Sequence, residues 1–310
     1  MNAPANLTDA AFRAAHVGAS EVAALFDASP WLTHFELYHR KVGTIATPDF
    51  NAVRDDGTPE NERIHWGVIL EDAIVAEACR RWGYVEREPV RHLSNGKGLG
   101  GHPDRRVICP ERGPGVLEAK MVDWLEVKKW GDEPPVHYLL QNQSYQGLDG
   151  VTWGDMIVLV GGNELRRFQY DFRPGLFAEI ERRVGDFWDR VRANNAPPVD
   201  YSRDGASLIE AIGAPDDSLA DLRDCLEAEQ EAMDWLDARA RRDAAITDMD
   251  IAKARLIERI GAAGTALLPS FRIGCGETKG SPDKEVTADM IGTVIKGRRG
   301  YRRFDVKEIK

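Results

Sequence analysis

The stretch GHPDRRVICPERGPGVLEAK, Gly101 to Lys120, decides how the chain is read. It holds a Pro-Asp pair, a Gly/Pro-rich turn, and Glu-Ala-Lys inside an apolar run. Strand side chains alternate between faces. Val116, Glu118 and Lys120 therefore share one face, and the apolar Leu117, Ala119 and Met121 share the other. CPERGPG suits a connection between two antiparallel strands. Such a hairpin brings Asp104 beside Glu118, with Lys120 one step along. Two carboxylates and an ammonium then converge where a plain edge strand would carry a surface ion pair.

A hard divalent cation takes oxygen ligands and keeps several waters. Asp104 and Glu118 supply two ligands, and the Ala119 carbonyl a third. A cation held there polarises a phosphoryl oxygen and lowers the pKa of water. Lys120 on the same face orients water or stabilises charge on a phosphate. This is a toolkit for cutting phosphodiester bonds.

The surroundings bound the fold. The chain has 310 residues, 43% hydrophobic and 30% charged, enough for a buried core plus an appendage. No run approaches the roughly 18 apolar residues of a membrane span. The first residues lack the apolar core of a signal peptide, so a cytoplasmic location is expected. Cys79, Cys109, Cys225 and Cys275 form no CxxC pair, which weighs against a zinc ribbon or an iron–sulfur cluster. The net charge of −10 does not advertise a nucleic-acid binder, although it says little about a local groove. The basic run Lys296 to Arg303 reads first as a solvated strand or turn.

Periodicity predicts a helix from Ser20, its N-cap, to Phe26, and a second one capped by Thr33 and stopped by Gly43. A third has Trp66, Leu70, Ala73 and Ile74 on its apolar face and ends at Gly83. A further helix, VHYLLQNQSYQGLDG, closes at Gly150. Met156 to Val160 reads as a central strand covered on both faces. An amphipathic helix with Leu176, Ile180, Val184 and Trp188 in register follows. The order implies an α/β fold with a central mixed sheet flanked by helices. This main domain spans 1–200. A C-terminal appendage, 201–310, carries a long helix or helical hairpin through Leu219, Leu222, Leu226, Met233 and Leu236 to Ile260. A small hairpin made of SFRIGCGE and GYRRFDVKEI ends it.

Pro103-Asp104 and Glu118-Ala119-Lys120 together resemble the motif of the PD-(D/E)xK nuclease superfamily. Within it the chain resembles the phage lambda exonuclease and YqaJ-type viral recombinase family, over roughly Arg13 to Tyr170. RAAHVGASE, SPW, WGVILE (Trp66 to Glu71) and QNQSY (Gln141 to Tyr145) follow in the family's order. The resemblance implies a restriction-endonuclease-like core and a Mg²⁺-dependent DNA exonuclease, with Mn²⁺ able to substitute. Asp104 and Glu118 would be metal ligands and Lys120 the catalytic lysine. Glu71 would assist the metal centre directly or through water. Gln143, or Gln141, would position the cleaved strand or the attacking water. Arg13 and Ser20 would hold the 5′ phosphate, with Tyr145 on the same DNA-facing helix.

Periodicity alone favours Glu77 over Glu71, so Glu71 rests on the motif. His102 and Arg105 depart from the pattern, since relatives carry a small residue and often Gly there. Both are candidates for a phosphate contact, and His102 also for the metal. The implied substrate is a duplex DNA end, degraded 5′→3′ in phage-type recombination. Its 3′ strand would pass to a single-strand annealing protein, and relatives suggest a ring-shaped homo-trimer. The alternatives are an endonuclease or Cas4-like nuclease of the same superfamily, and a non-catalytic DNA-binding scaffold.

Overall fold

The Gly101–Lys120 stretch does fold back on itself. The structure, a computed structural model, describes residues 9–49 and 52–275. The elements in chain order begin with α1 (Asp9–Ala15), β1 (Val17–Gly18), α2 (His34–Val42), α3 (Glu62–Trp82), β2 (Val85–Glu86), β3 (Leu93–Ser94) and β4 (Leu99–Gly101). Next come β5 (Arg105–Cys109), β6 (Gly113–Val122), α4 (Trp124–Val127), α5 (Val136–Asp149), β7 (Trp153–Val160), β8 (Glu164–Asp171) and α6 (Pro174–Arg192). The series ends with α7 (Gly205–Ile212), α8 (Leu226–Ile260), β9 (Thr265–Leu267) and β10 (Arg272–Gly274).

The main sheet has the order β2-β5-β6-β7-β8. β6 and β7 run parallel and the other pairs antiparallel, so the sheet is mixed as expected. Parallel neighbours need a long crossover, and α4 and α5 provide it. A small second sheet, β1-β4-β3, leads the chain into the Gly101–Asp104 turn.

The two sheet faces are covered differently. Leu117 and Ala119 of β6, with Trp153 and Ile157 of β7, pack against Ile74, Val75 and Ala78 of α3. Met156, Val158 and Val160 face the other way, with Tyr138 of α5, Phe168 and Tyr170 packed against them. A third cluster joins the segment around Val22–Leu25, Leu37 and Tyr38 of α2, and Ile180, Val184 and Phe187 of α6. α5 lies among these layers, and its residues 140–146 are all buried. Gly150 closes it in the left-handed conformation, φ 69°, where a side chain would be strained.

Several details differ from expectation. Ser20 caps nothing. The segment Val22–Phe26 is a 3₁₀ helix whose N-cap is Glu21, and the Glu21 carboxylate turns back to accept from the Gly18 N–H at 2.8 Å. Along α3 the buried face is Ile74, Val75 and Ala78, while Trp66 is 48% exposed and Ala73 is exposed. The first turns of α3 run past the sheet edge, so periodicity there reports no core. Glu77 faces solvent enough to pair with Arg80 and Arg81. Leu219 and Leu222 precede α8, which is the long helix of the two expected alternatives, 35 residues from Leu226 to Ile260.

The chain divides into two compact units, residues 1–213 and 214–310. α7 stays with the first unit because the buried Asp204 before it accepts from Thr33 Oγ1 at 2.5 Å, and Glu210 accepts from the Ala46 N–H at 2.9 Å. In the second unit β10 pairs with β9. Residues 276–310 lie outside the described residues, and with them the basic run 296–303 and the expected terminal strand. No helix among the described residues is long and apolar enough to cross a membrane.

In register with Leu117, on the α3-facing side of β7 with Trp153 and Ile157, Asp155 is fully buried. It accepts from both Arg112 terminal nitrogens (2.9 and 2.6 Å) and from the Tyr84 hydroxyl (2.5 Å). Removing one partner of a buried ion pair strands the other charge. Arg112→Met is therefore expected to cost about 3–5 kcal/mol of stability, read as a lowered urea midpoint. Arg166→Met, on the exposed β8, should leave the midpoint unchanged.

Candidate active site

Register places the three motif residues. Arg105 pairs with Leu117, so Asp104 stands one step beyond the β5 ladder, level with Glu118. There its side chain continues the ladder, with Oδ2 accepting from the Ala119 N–H at 2.7 Å. Glu118 and Lys120 point to the same side of β6, and the Lys120 ammonium donates to Glu118 Oε1. Glu118 is 3% exposed, yet its Oε2 has no hydrogen-bond partner among the described residues. A buried carboxylate oxygen left unpaired is costly.

The electrostatics match a site short of positive charge. Burial, with Asp104 beside it, pushes the Glu118 carboxyl up to about 8, although Lys120 opposes the shift. Burial works against the Lys120 ammonium, but Glu118 and Asp104 outweigh it and hold the group charged. Glu71 is also raised, by burial and then by Asp104.

These features fit a hard divalent cation. Asp104, the orphaned Glu118 oxygen and the neighbouring Ala119 carbonyl are oxygen donors of the right type. Among the described residues no three His, Cys, Asp or Glu side chains form a ready-made cage. Two carboxylates suit an ion that retains much of its water, as Mg²⁺ does.

The glutamines separate by helix phase. Gln141 Nε2 donates to Glu118 Oε1 at 2.7 Å and to the Tyr145 hydroxyl at 3.0 Å. Gln141 and Tyr145 lie one turn apart on the same side of α5. Gln143 points elsewhere: its Nε2 donates to the Asp171 carbonyl at 2.8 Å and its Oε1 accepts from the Arg173 N–H at 2.7 Å. Both ends of that amide are used by backbone, so Gln143 is a core residue and no part of the site. Tyr145 stands between Glu118 and the Val17–Ser20 segment. Gly101 permits this, because a Cβ there would lie 3.0 Å from the Tyr145 ring and 3.1 Å from Ala19.

Arg13 and Ser20 are both exposed, on α1 and on the turn after β1. The turn is fastened to the Gly101 segment by the Ala19 N–H donating to the Gly100 carbonyl at 2.9 Å. Lys41 ties it from below, donating to the Arg13 carbonyl at 2.8 Å and to Glu21 at 2.6 Å. His102 is exposed, with its ring 6.4 Å from that of His92. Arg105 is not turned out towards a phosphate. It pairs with Glu71 at 2.9 Å, with Asp72, and with Glu86 at 3.3 Å. Placed among three carboxylates, its guanidinium neutralises the acidic flank instead.

Neither His137 nor Tyr138 is among the residues expected from the motifs. Both stand close enough to Lys120 for its charge to act on them. The signal was available: 137, 138, 141 and 145 form one stripe at helical spacing.

Comparison with known proteins adds the following. Residues 10–148 match the YqaJ-like viral recombinase domain. The chain is similar to the alkaline exonuclease of Laribacter hongkongensis, at 20% identity, covering 64% of this chain and 96% of that one with a TM-score of 0.44. It is similar to a phage-related exonuclease from Haemophilus somnus 129PT, at 14% identity, covering 58% and 96% with a TM-score of 0.42. A search of curated protein sequences gave no match.

The raised Glu118 carboxyl has a measurable sign. Its proton is held more tightly in the folded chain, about 8 against an ordinary 4.5. Without divalent cations, stability should be highest below pH 4.5 as far as this group is concerned, and fall as pH rises through 8. Thermal melts in EDTA from pH 5 to 9 should show this slope flattened in Glu118→Gln. Adding Mg²⁺ or Mn²⁺ at pH 8 should raise the melting temperature of the wild type and leave Asp104→Asn unmoved.

Proposed function

We propose that this chain, whose residues 10–148 match the YqaJ-like viral recombinase domain, is a Mg²⁺-dependent exonuclease hydrolysing duplex DNA ends in the 5′→3′ direction. One observation carries the reading: the buried Glu118 carboxylate, with Lys120 on its Oε1 and Asp104 on the neighbouring Ala119 N–H, has an Oε2 that lacks a partner among the described residues. Asp104, Glu118 and the Ala119 carbonyl would hold the cation. When bound, Mg²⁺ supplies charge for the phosphoryl oxygen and lowers the pKa of water.

The chain's own groups do the rest. Lys120, held charged by Glu118 and Asp104, stabilises the negative charge that grows on the phosphate during in-line attack by water. Gln141 fixes the rotamer of Glu118 by bonding Oε1, which leaves Oε2 for the ligand. Tyr145 braces Gln141 and so holds the carboxylate still. Arg105 holds Glu71 at the edge of the site, where the carboxylate reaches the cation through water. The exposed Arg13 and Ser20 receive the 5′ phosphate on a turn that Lys41 and Gly100 keep in place. His102 lies outside this set.

In the same reading the nuclease domain is the first unit, and the released 3′ strand passes to a single-strand annealing protein. The working enzyme is a ring-shaped homo-trimer.

An end-labelled linear duplex tests the proposal. Cleavage should require Mg²⁺ or Mn²⁺ and stop with EDTA. It should be faster with a 5′ phosphate than without, and spare a covalently closed circle. Lys120→Ala should lower kcat by roughly 10²–10³-fold. Equal cutting of linear and circular DNA would make the enzyme an endonuclease. Metal-dependent binding with no product would make it a scaffold.

A further inference from the structure

Trp31 is 69% exposed. A lone exposed tryptophan is ordinary. This one sits on a turn that the protein holds unusually firmly. The buried Ser29 hydroxyl accepts from the N–H groups of Trp31 (3.3 Å) and Leu32 (3.1 Å). Arg203 donates to the Ser29 carbonyl at 2.6 Å. Thr33 accepts from the Glu36 N–H at 3.0 Å and donates to the buried Asp204. Pro30 fixes its own φ between them. Five hydrogen bonds and a proline thus hold in place a turn whose large exposed side chain is an indole.

The indole is also aimed. Its ring meets His137 edge-on, with centroids 5.0 Å apart and planes at 78°. His137 packs on Tyr138 at 4.1 Å, and both lie within reach of the Lys120 charge. At 69% exposure most of the indole surface stays open beside this one neighbour. A rigid, uncovered aromatic face beside a phosphate-handling lysine is what stacking of a base requires.

We propose that Trp31 is a stacking platform for one nucleobase of the DNA strand that lies against Lys120. The assignment rests on the nuclease reading for the identity of the ligand. Phosphate and cation contacts grip the backbone of any sequence, whereas a stacked base fixes where along the strand the next bond lies. Stacking on an indole tolerates all four bases, as an end-degrading enzyme needs.

The test is a double-perturbation cycle on the full chain in EDTA. Fluorescein-labelled single-stranded oligonucleotides, each with one abasic position, are titrated with wild type, Trp31→Ala and Trp31→Phe. For the intact strand, Trp31→Ala should weaken binding about ten- to hundredfold. At one position the abasic strand should weaken wild type by the same factor and Trp31→Ala no further. Trp31→Phe should retain most of the affinity and the coupling. In the cleavage assay Trp31→Ala should raise KM with kcat little changed.

The proposal is overturned if wild type is indifferent to abasic substitution at every position, or if the two losses multiply. Because the abasic comparison is made within wild type, misfolding of a variant cannot imitate the result. A wild-type chain that shows the coupling but cuts no DNA defeats the nuclease reading alone. One that cuts DNA without the coupling defeats this inference alone.

Discussion

The pairing of Arg105 with Leu117 is the constraint on which the site depends. It starts β5 one residue after Asp104 and lets the Asp104 carboxylate, in place of a backbone carbonyl, receive the Ala119 N–H. A slip of one residue would turn Glu118 and Lys120 towards α3 and put Leu117 and Ala119 in their place. The apolar contacts of Leu117 and Ala119 with Ile74, Val75 and Ala78 resist that slip. Packing on one face of β6 therefore secures the chemistry on the other.

α5 does two jobs on two faces. Towards β6 it offers Gln141 and Tyr145, which orient Glu118. Towards β8 and the start of α6 it offers Gln143, whose amide joins Asp171 to Arg173. A helix buried on all sides must satisfy its polar groups internally, which explains why so many amides occur in a core helix. Most of them serve packing order, and only those in phase with Glu118 serve the site. The 5′-end turn belongs to the same construction, because Tyr145 touches both Glu118's amide partner and the Gly101–Ala19 contact.

Much of this was legible in the residues. Period-two alternation through Val116–Met121 and the turn before it gave the hairpin and the shared face of Glu118 and Lys120. The continuous apolar run Met156–Val160 gave the central strand, and helical spacing gave α5 and α6. Other features were not legible, for physical reasons. The start of α3 is periodic but overhangs the sheet, so Trp66 is not core. Ser20 has the chemistry of a cap, yet the segment starts one residue later, with Glu21 at the N-cap and its carboxylate turned back to the Gly18 N–H. Gln141 and Gln143 are identical in composition, and the helix phase relative to β6 separates them. Arg105 was open to a phosphate because its three acidic partners come from α3 and β2, distant in sequence.

The central claim is that Asp104 and Glu118 share one divalent cation. Anomalous diffraction from crystals soaked in Mn²⁺ tests it most directly. A peak within coordinating distance of both carboxylates, absent in Asp104→Asn, is the predicted result. Side chains of Asp104 and Glu118 too far apart for one ion, or Mn²⁺ bound only elsewhere, would contradict it.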